Sequence, residues 1–138
     1  MSILDDVKVG DVFYLPRYSG YGREVISIHK LTVVSTPKTL VRLVDEGPAD
    51  REYRAMRSRN EGVNDWPILV GTADEYGIRE AYPGDHPAIE KARDALKRRN
   101  CRTKARNEIE AALRALRYDN SSEALRHCRQ AIEWLEKS

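Results

Sequence analysis

Cysteine, histidine and phenylalanine are scarce in this 138-residue chain, which has two Cys, three His and one Phe. Two cysteines, Cys101 and Cys128, do not make a disulfide framework, so reduced thiols in a cytosolic protein are expected. His29, His86 and His127 are scattered. No His or Cys pair has the close spacing of a zinc ligand set, and neither a metal nor a cofactor is expected. With a single Phe, the core must rest on Val, Ile, Leu and Ala, with Tyr and Trp at its margins. No stretch approaches the roughly 20 apolar residues needed to cross a bilayer. The acidic opening Met1-Ser-Ile-Leu-Asp-Asp lacks the pattern of a signal peptide. These scarcities lead to the expectation of a cytoplasmic protein with no membrane partner.

Charge is what the chain has in quantity, and its distribution matters more than the net +2. Residues 1–85 hold 11 Lys/Arg against 14 Asp/Glu, a balance of −3. Residues 86–138 hold 13 against 8, a balance of +5. The step falls near Pro83, Gly84 and Asp85 and predicts two structural units, 1–85 and 86–138.

The first unit is organised around residues 23–44, where β-branched side chains dominate and Thr36, Pro37 and Lys38 interrupt the run. The pattern predicts a long β-hairpin, with a bulge near His29 and Lys30 where the better apolar face changes sides. Gly10 and Asp11 form a turn signal before a first strand that ends or becomes an edge at Pro16. Ser19, Gly20, Tyr21 and Gly22 form a glycine-rich loop. Further short strands are expected around Tyr53 and Ala55, from Trp66 to Val70, and from Ile78 to Tyr82. Four to six short strands with frequent turns predict a small barrel or rolled antiparallel sheet.

The second unit reads as helical. Pro87 suits the first helical position, with Asp85 or His86 as cap. Ile89, Ala92 and Leu96 trace one stripe; Ala105, Ile109, Ala112, Leu113 and Leu116 trace another. The two are out of phase, which predicts a break or kink near Asn100. Asn120 and Glu123 have capping-box spacing. Leu125, Cys128, Ile132 and Leu135 then recur at the 3-4-3 spacing of a coiled-coil seam, which serves either an internal contact or a homodimer. The fold class is therefore α+β: an SH3-like β-barrel or rolled sheet, then an antiparallel helical hairpin.

Some of these features also resemble a group of small bacteriophage-encoded accessory proteins with an SH3-like barrel. The resemblance rests on Val9-Gly10-Asp11, on Gly20-Tyr21-Gly22, on the hairpin from Lys30 to Leu43 and on Arg51-Glu52-Tyr53-Arg54. It extends to Leu116-Arg117-Tyr118-Asp119 at the helical turn. Residues 60–65 depart from the compact glycine-rich turn such proteins carry. The resemblance implies a small binding protein and transfers no catalytic residue.

No catalytic constellation is legible. Cys101 lies among Arg98, Arg99 and Arg102, which favour a thiolate wherever the sulfur is exposed, but no His adjoins it. Asp45, Glu46, Asp74 and Glu75 are loop carboxylates that nothing in the sequence brings together. The strongest signal is basic: between residues 91 and 106, eight Lys/Arg face only Asp94. A density of this kind fits phosphates or an acidic protein surface, while the bland reading is a solvated helix flank. Three functions follow in order. The first is a non-enzymatic phage-type protein that attaches to a host protein or nucleoprotein complex and modulates or inhibits it, through Lys97, Arg98, Arg99 and Arg102. The second is direct nucleic-acid binding by the barrel face, through Arg54, Arg57, Tyr18 and Tyr21. The third is a small enzyme using Cys101 or the loop carboxylates.

Overall fold

Alternating side chains decide which face of each strand is buried. In β1 (Val12–Tyr18), Phe13 and Leu15 turn inward; in β3 (Leu40–Asp45), Val41, Leu43 and Asp45 do; in β4 (Glu52–Met56), Tyr53 and Ala55 do. β2 (Val25–Ser35) buries Val25, Leu31 and Val33, with Ser27 and His29 half-buried on the same side. The computed structural model describes residues 2–19, 24–47, 50–72 and 78–138. The Gly20-Tyr21-Gly22 loop, the centre of the turn after β3 and the carboxylates Asp74 and Glu75 lie outside the described residues.

These strands form one antiparallel sheet in the order β1-β2-β3-β4. Leu15 lies opposite His29, Leu31 opposite Asp45, and Val41 opposite Ala55. A two-stranded ribbon, β5 (Ile68–Val70) with β6 (Arg79–Ala81), completes the curl. Single bridges join Arg54 to Gly71 and Tyr14 to Tyr82, so the ribbon touches both edges of the sheet and the result is barrel-like. A short 3-10 helix (Ile3–Asp6), capped by Ser2, adds the fully buried Leu4 to the core. Around it pack Leu15, Leu31, Val41, Leu43, Tyr53, Ile68 and Val70.

The hairpin expectation held in its strands and its Thr36–Pro37 break but not in its bulge. The register is regular through His29 and Lys30 and shifts instead at Val33/Ser35, with a second shift at Arg17/Tyr18. Ser27, His29 and Leu31 keep to one face because His29 has a polar partner on that face, described below. Pro16 does not end β1: it pairs with Ile28 on the sheet's outer strand, where a missing N–H is tolerated. Gly10 takes φ +94°, a left-handed conformation that glycine adopts without strain, and its N–H donates to Val33 O (2.9 Å).

The helices are α1 (Pro87–Arg117) and α2 (Ser121–Glu136). α1 starts as expected, with His86 Nδ1 accepting from the Ala88 N–H (3.1 Å). The predicted break near Asn100 is absent, and α1 runs uninterrupted for 31 residues. The phase change has another cause: the helix changes what it buries. The described chain divides into compact units 1–93 and 94–138. In the first unit Ile89 and Ala92 are buried, and the Arg93 guanidinium lies 5.0 Å from the centroid of the Tyr14 ring. In the second unit Cys101, Ala105 and Ala112 are buried instead.

Candidate interaction surface

The hairpin of the second unit is held together by small side chains. Ala105 and Ala112 of α1 and Ala124 and Ala131 of α2 are nearly inaccessible. Each pair is spaced by seven residues, two turns apart on one side of its helix. Polar rungs flank this alanine seam. His127 Nδ1 meets Glu108 Oε2 at 2.6 Å, and His127 Nε2 lies 3.5 Å from Glu123. With its amide nitrogen turned toward Glu108, Gln130 donates to both carboxylate oxygens (3.0 and 3.1 Å). Lys104 Nζ sits 4.3 Å from the centroid of the Trp134 ring, with Lys137 Nζ at 4.8 Å. At the turn, Asp119 takes φ +55°, and Asn120 Oδ1 accepts from the Glu123 N–H (3.1 Å). Arg126 donates to Glu123 and holds its carboxyl below the usual range.

Because alanines fill the seam, the large apolar side chains lie beside it and stay uncovered. Ile109, Leu113 and Leu116 on α1 are 47%, 55% and 53% exposed; Leu125, Ile132 and Leu135 on α2 are 52%, 56% and 49% exposed. Cys128 is exposed among them. At about 100° per residue, each set is displaced from its alanines by roughly 60° in the same sense along the chain. The helices run antiparallel, so equal offsets fall on the same side of the hairpin. The two stripes therefore form one apolar face. The sequence showed both stripes but grouped Ala105 and Ala112 with Ile109, Leu113 and Leu116 in one. The missed signal was the seven-residue alanine repeat, which fits a close helix contact better than leucine does.

The basic residues continue this surface. Arg98 and Arg102 are exposed and lie in the same angular sector as Ile109, Leu113 and Leu116, nearer the start of α1. Arg99 is half-exposed beside them, whereas Lys97 points to the opposite flank. From residue 95 to residue 107 α1 has no carboxylate. Three of the four predicted contact residues thus lie together. Cys101 is buried under them, so the thiol lacks the exposure that nucleophilic use requires. Cys128 is the accessible sulfur.

The barrel residues proposed for nucleic acid are dispersed. Tyr18 is exposed on β1, beside a groove lined by Pro16, Ile78, Arg79, Glu80 and Tyr82. Arg54 lies on β4, with two strands between it and β1 in either direction around the ring, and pairs with Glu52 (3.3 Å). Arg57 pairs with Asp5 (3.3 Å) and donates to Pro37 O (3.2 Å). Tyr21 lies outside the described residues. The carboxylates also separate: Asp45 turns into the barrel, while Glu46 turns out to Thr32 (2.6 Å) and Lys30 (3.2 Å), which lower its pKa.

One arrangement was not foreseen. Asp45 is buried, accepts from the Gly47 N–H through Oδ1 (2.9 Å) and meets His29 Nδ1 through Oδ2 (2.6 Å). His29 Nε2 is 3.2 Å from Ser27 Oγ. Ser27 and His29 are two apart on β2 and share a face, and β3 supplies the Asp, so the relay needs the sheet register. Its order is that of a Ser-His-Asp triad. Among the described residues, no group of three or more His, Cys, Asp or Glu could hold a metal ion. No described helix is long and apolar enough to cross a membrane.

Comparison with family models, with curated proteins and with solved structures returned no match. Residues and geometry alone therefore carry the functional reading.

Proposed function

We propose that this chain is a non-enzymatic binding protein of bacteriophage type, working in the host cytoplasm. It attaches to a host protein or nucleoprotein complex through the basic end of the hairpin and changes that partner's activity. The carrying observation is the carboxylate-free segment of α1, with Arg98 and Arg102 exposed in one sector and Arg99 beside them. Long guanidinium side chains on a rigid helix suit an acidic surface or a row of phosphates. The phage assignment rests on the pattern resemblance and on the succession of curled sheet and helical pair.

The test is capture from host lysate by the tagged full chain, with and without nuclease, beside an Arg98→Glu/Arg99→Glu/Arg102→Glu variant. A discrete protein that survives nuclease and disappears with the variant is the expected result. Nucleic acid alone, abolished by nuclease, favours direct nucleic-acid binding. Identical capture by parent and variant overturns the assignment of this surface.

The Ser27–His29–Asp45 relay supports a second reading, acyl transfer with Ser27 as nucleophile and His29 as base. A fluorophosphonate probe should then label Ser27, with loss of label in Ser27→Ala and His29→Ala. No labelling of the folded parent removes this reading and leaves the relay as the means by which buried Asp45 is satisfied.

A further inference from the structure

The apolar face of the hairpin adjoins the basic contact, shares Arg102 with it and calls for an occupant. We infer that the occupant is a second copy of this chain, giving a two-fold dimer in which the two hairpins form a four-helix bundle.

Area is the first argument. Six half-exposed aliphatic side chains leave roughly 100 Å² each, or ~600 Å² per copy, against the ~800 Å² a partner contributes to a stable interface. Cys128, exposed among them, adds to this area. The face is therefore large enough for a dimer without help from the first unit.

Matching of levels is the second. The Glu108–His127 and Lys104–Trp134 contacts fix which residues of α1 and α2 stand side by side. On that ladder Leu113 is level with Leu125, Ile109 with Cys128, and Arg102 with Leu135. A two-fold axis parallel to the helices lays α1 of one copy over α2 of the other at the same levels, antiparallel. Ile109, Leu113 and Leu116 then cover Leu125 and Cys128 of the second copy. The 3-4-3 spacing of the α2 seam is the pattern that such interdigitation requires.

Charge is the third. Across this axis Arg102 and Arg106 of α1 come beside Glu136 on the flank of the opposing α2 seam, opposite in sign. α2 ends at Glu136, which is level with about Cys101, so Arg98 and Arg99 extend past the bundle. The dimer places both copies of that basic end at the same end of the bundle. This adds to the proposed function, giving the partner two basic contacts, and the two claims fail separately.

Sedimentation equilibrium of the full chain between about 1 and 100 µM measures the mass directly, and an interface of this size should dimerise in the micromolar range. The expected result is a shift from one to two chain masses, lost in Leu113→Glu and Leu125→Glu variants that retain parental helicity. A second measurement needs no variant: maleimide labelling of Cys128 should slow about 10-fold at the high concentration as the dimer covers it. A single-chain mass at every concentration overturns the dimer; if that monomer still captures a partner through the arginines, the proposed function stands. A dimer in which Cys128 reacts at an unchanged rate overturns the assigned face. A dimer whose Arg98→Glu/Arg99→Glu variant captures everything the parent does keeps this inference and removes the basic contact.

Discussion

Asn60 shows at the scale of one residue how the barrel manages its irregular stretch. Its side chain is fully buried and makes three hydrogen bonds: its amide donates to Met56 O (2.9 Å) and Leu69 O (3.1 Å), and its oxygen accepts from the Leu69 N–H (2.8 Å). One amide thus ties the turn after β4 to β5. Asn60→Ala should cost about 2–4 kcal/mol, because it leaves both the N–H and the C=O of Leu69 without the side chain that satisfies them; urea denaturation of the purified variant measures it. Tyr82 offers a titration test. Burial, then the hydrogen bond to Glu80 (2.9 Å), pushes its phenol from 10.0 up to about 12. A raised pKa on an acid favours the protonated fold, so the contribution is whole below pH 10 and lost as pH rises toward 12. Alkaline denaturation followed by phenolate absorbance should show this loss in the parent and not in Tyr82→Phe. Neither residue was legible beforehand. Asn60 sat in a stretch without periodicity, and the environment of Tyr82 depends on a ribbon that meets the sheet by single bridges.

Elements were easier to read than their environments. Period-two alternation located β2, β3 and β4, and turn chemistry located their ends, because both are properties of consecutive residues. Helix caps at His86 and Asn120 were legible for the same reason. The faces were not. Whether Val41 or Leu40 points inward, and whether Ile109 or Ala112 meets α2, depends on partners distant in the chain. The Ser27–His29–Asp45 relay was hidden for the same reason: β2 supplies two members and β3 the third. The alanine seam gives this scale its prediction. Ala112→Leu places a large side chain at a buried alanine position and should destabilise the hairpin by about 1–3 kcal/mol. Leu113→Ala, one position along on the exposed face, should change monomer stability little. Hydrogen exchange of α2 amides distinguishes the two.

For the whole molecule, the compositional step suggests a division near residue 85, and the compact units divide after Arg93. α1 alone accounts for the offset: it serves the barrel with its first turns and the hairpin with the rest. Cations are concentrated in the latter part, so partner binding should follow counterion behaviour. If the basic end meets phosphates, affinity should fall steeply between about 50 and 200 mM salt, with a slope reduced by roughly one for each arginine removed. An acidic protein surface gives a shallower dependence. Fluorescence anisotropy across a salt series, with the parent and the Arg98→Glu variant, separates the two.

The alanine seam also bears on the lifetime of the protein. Methyl-sized contacts bury little surface, so the second unit has only a thin reserve against local opening while its apolar face is uncovered. Whatever covers that face adds its binding free energy to the fold. A copy without an occupant opens more often and exposes cleavable backbone, while an assembled copy is spared. Occupancy of the hairpin should therefore slow proteolysis of the second unit.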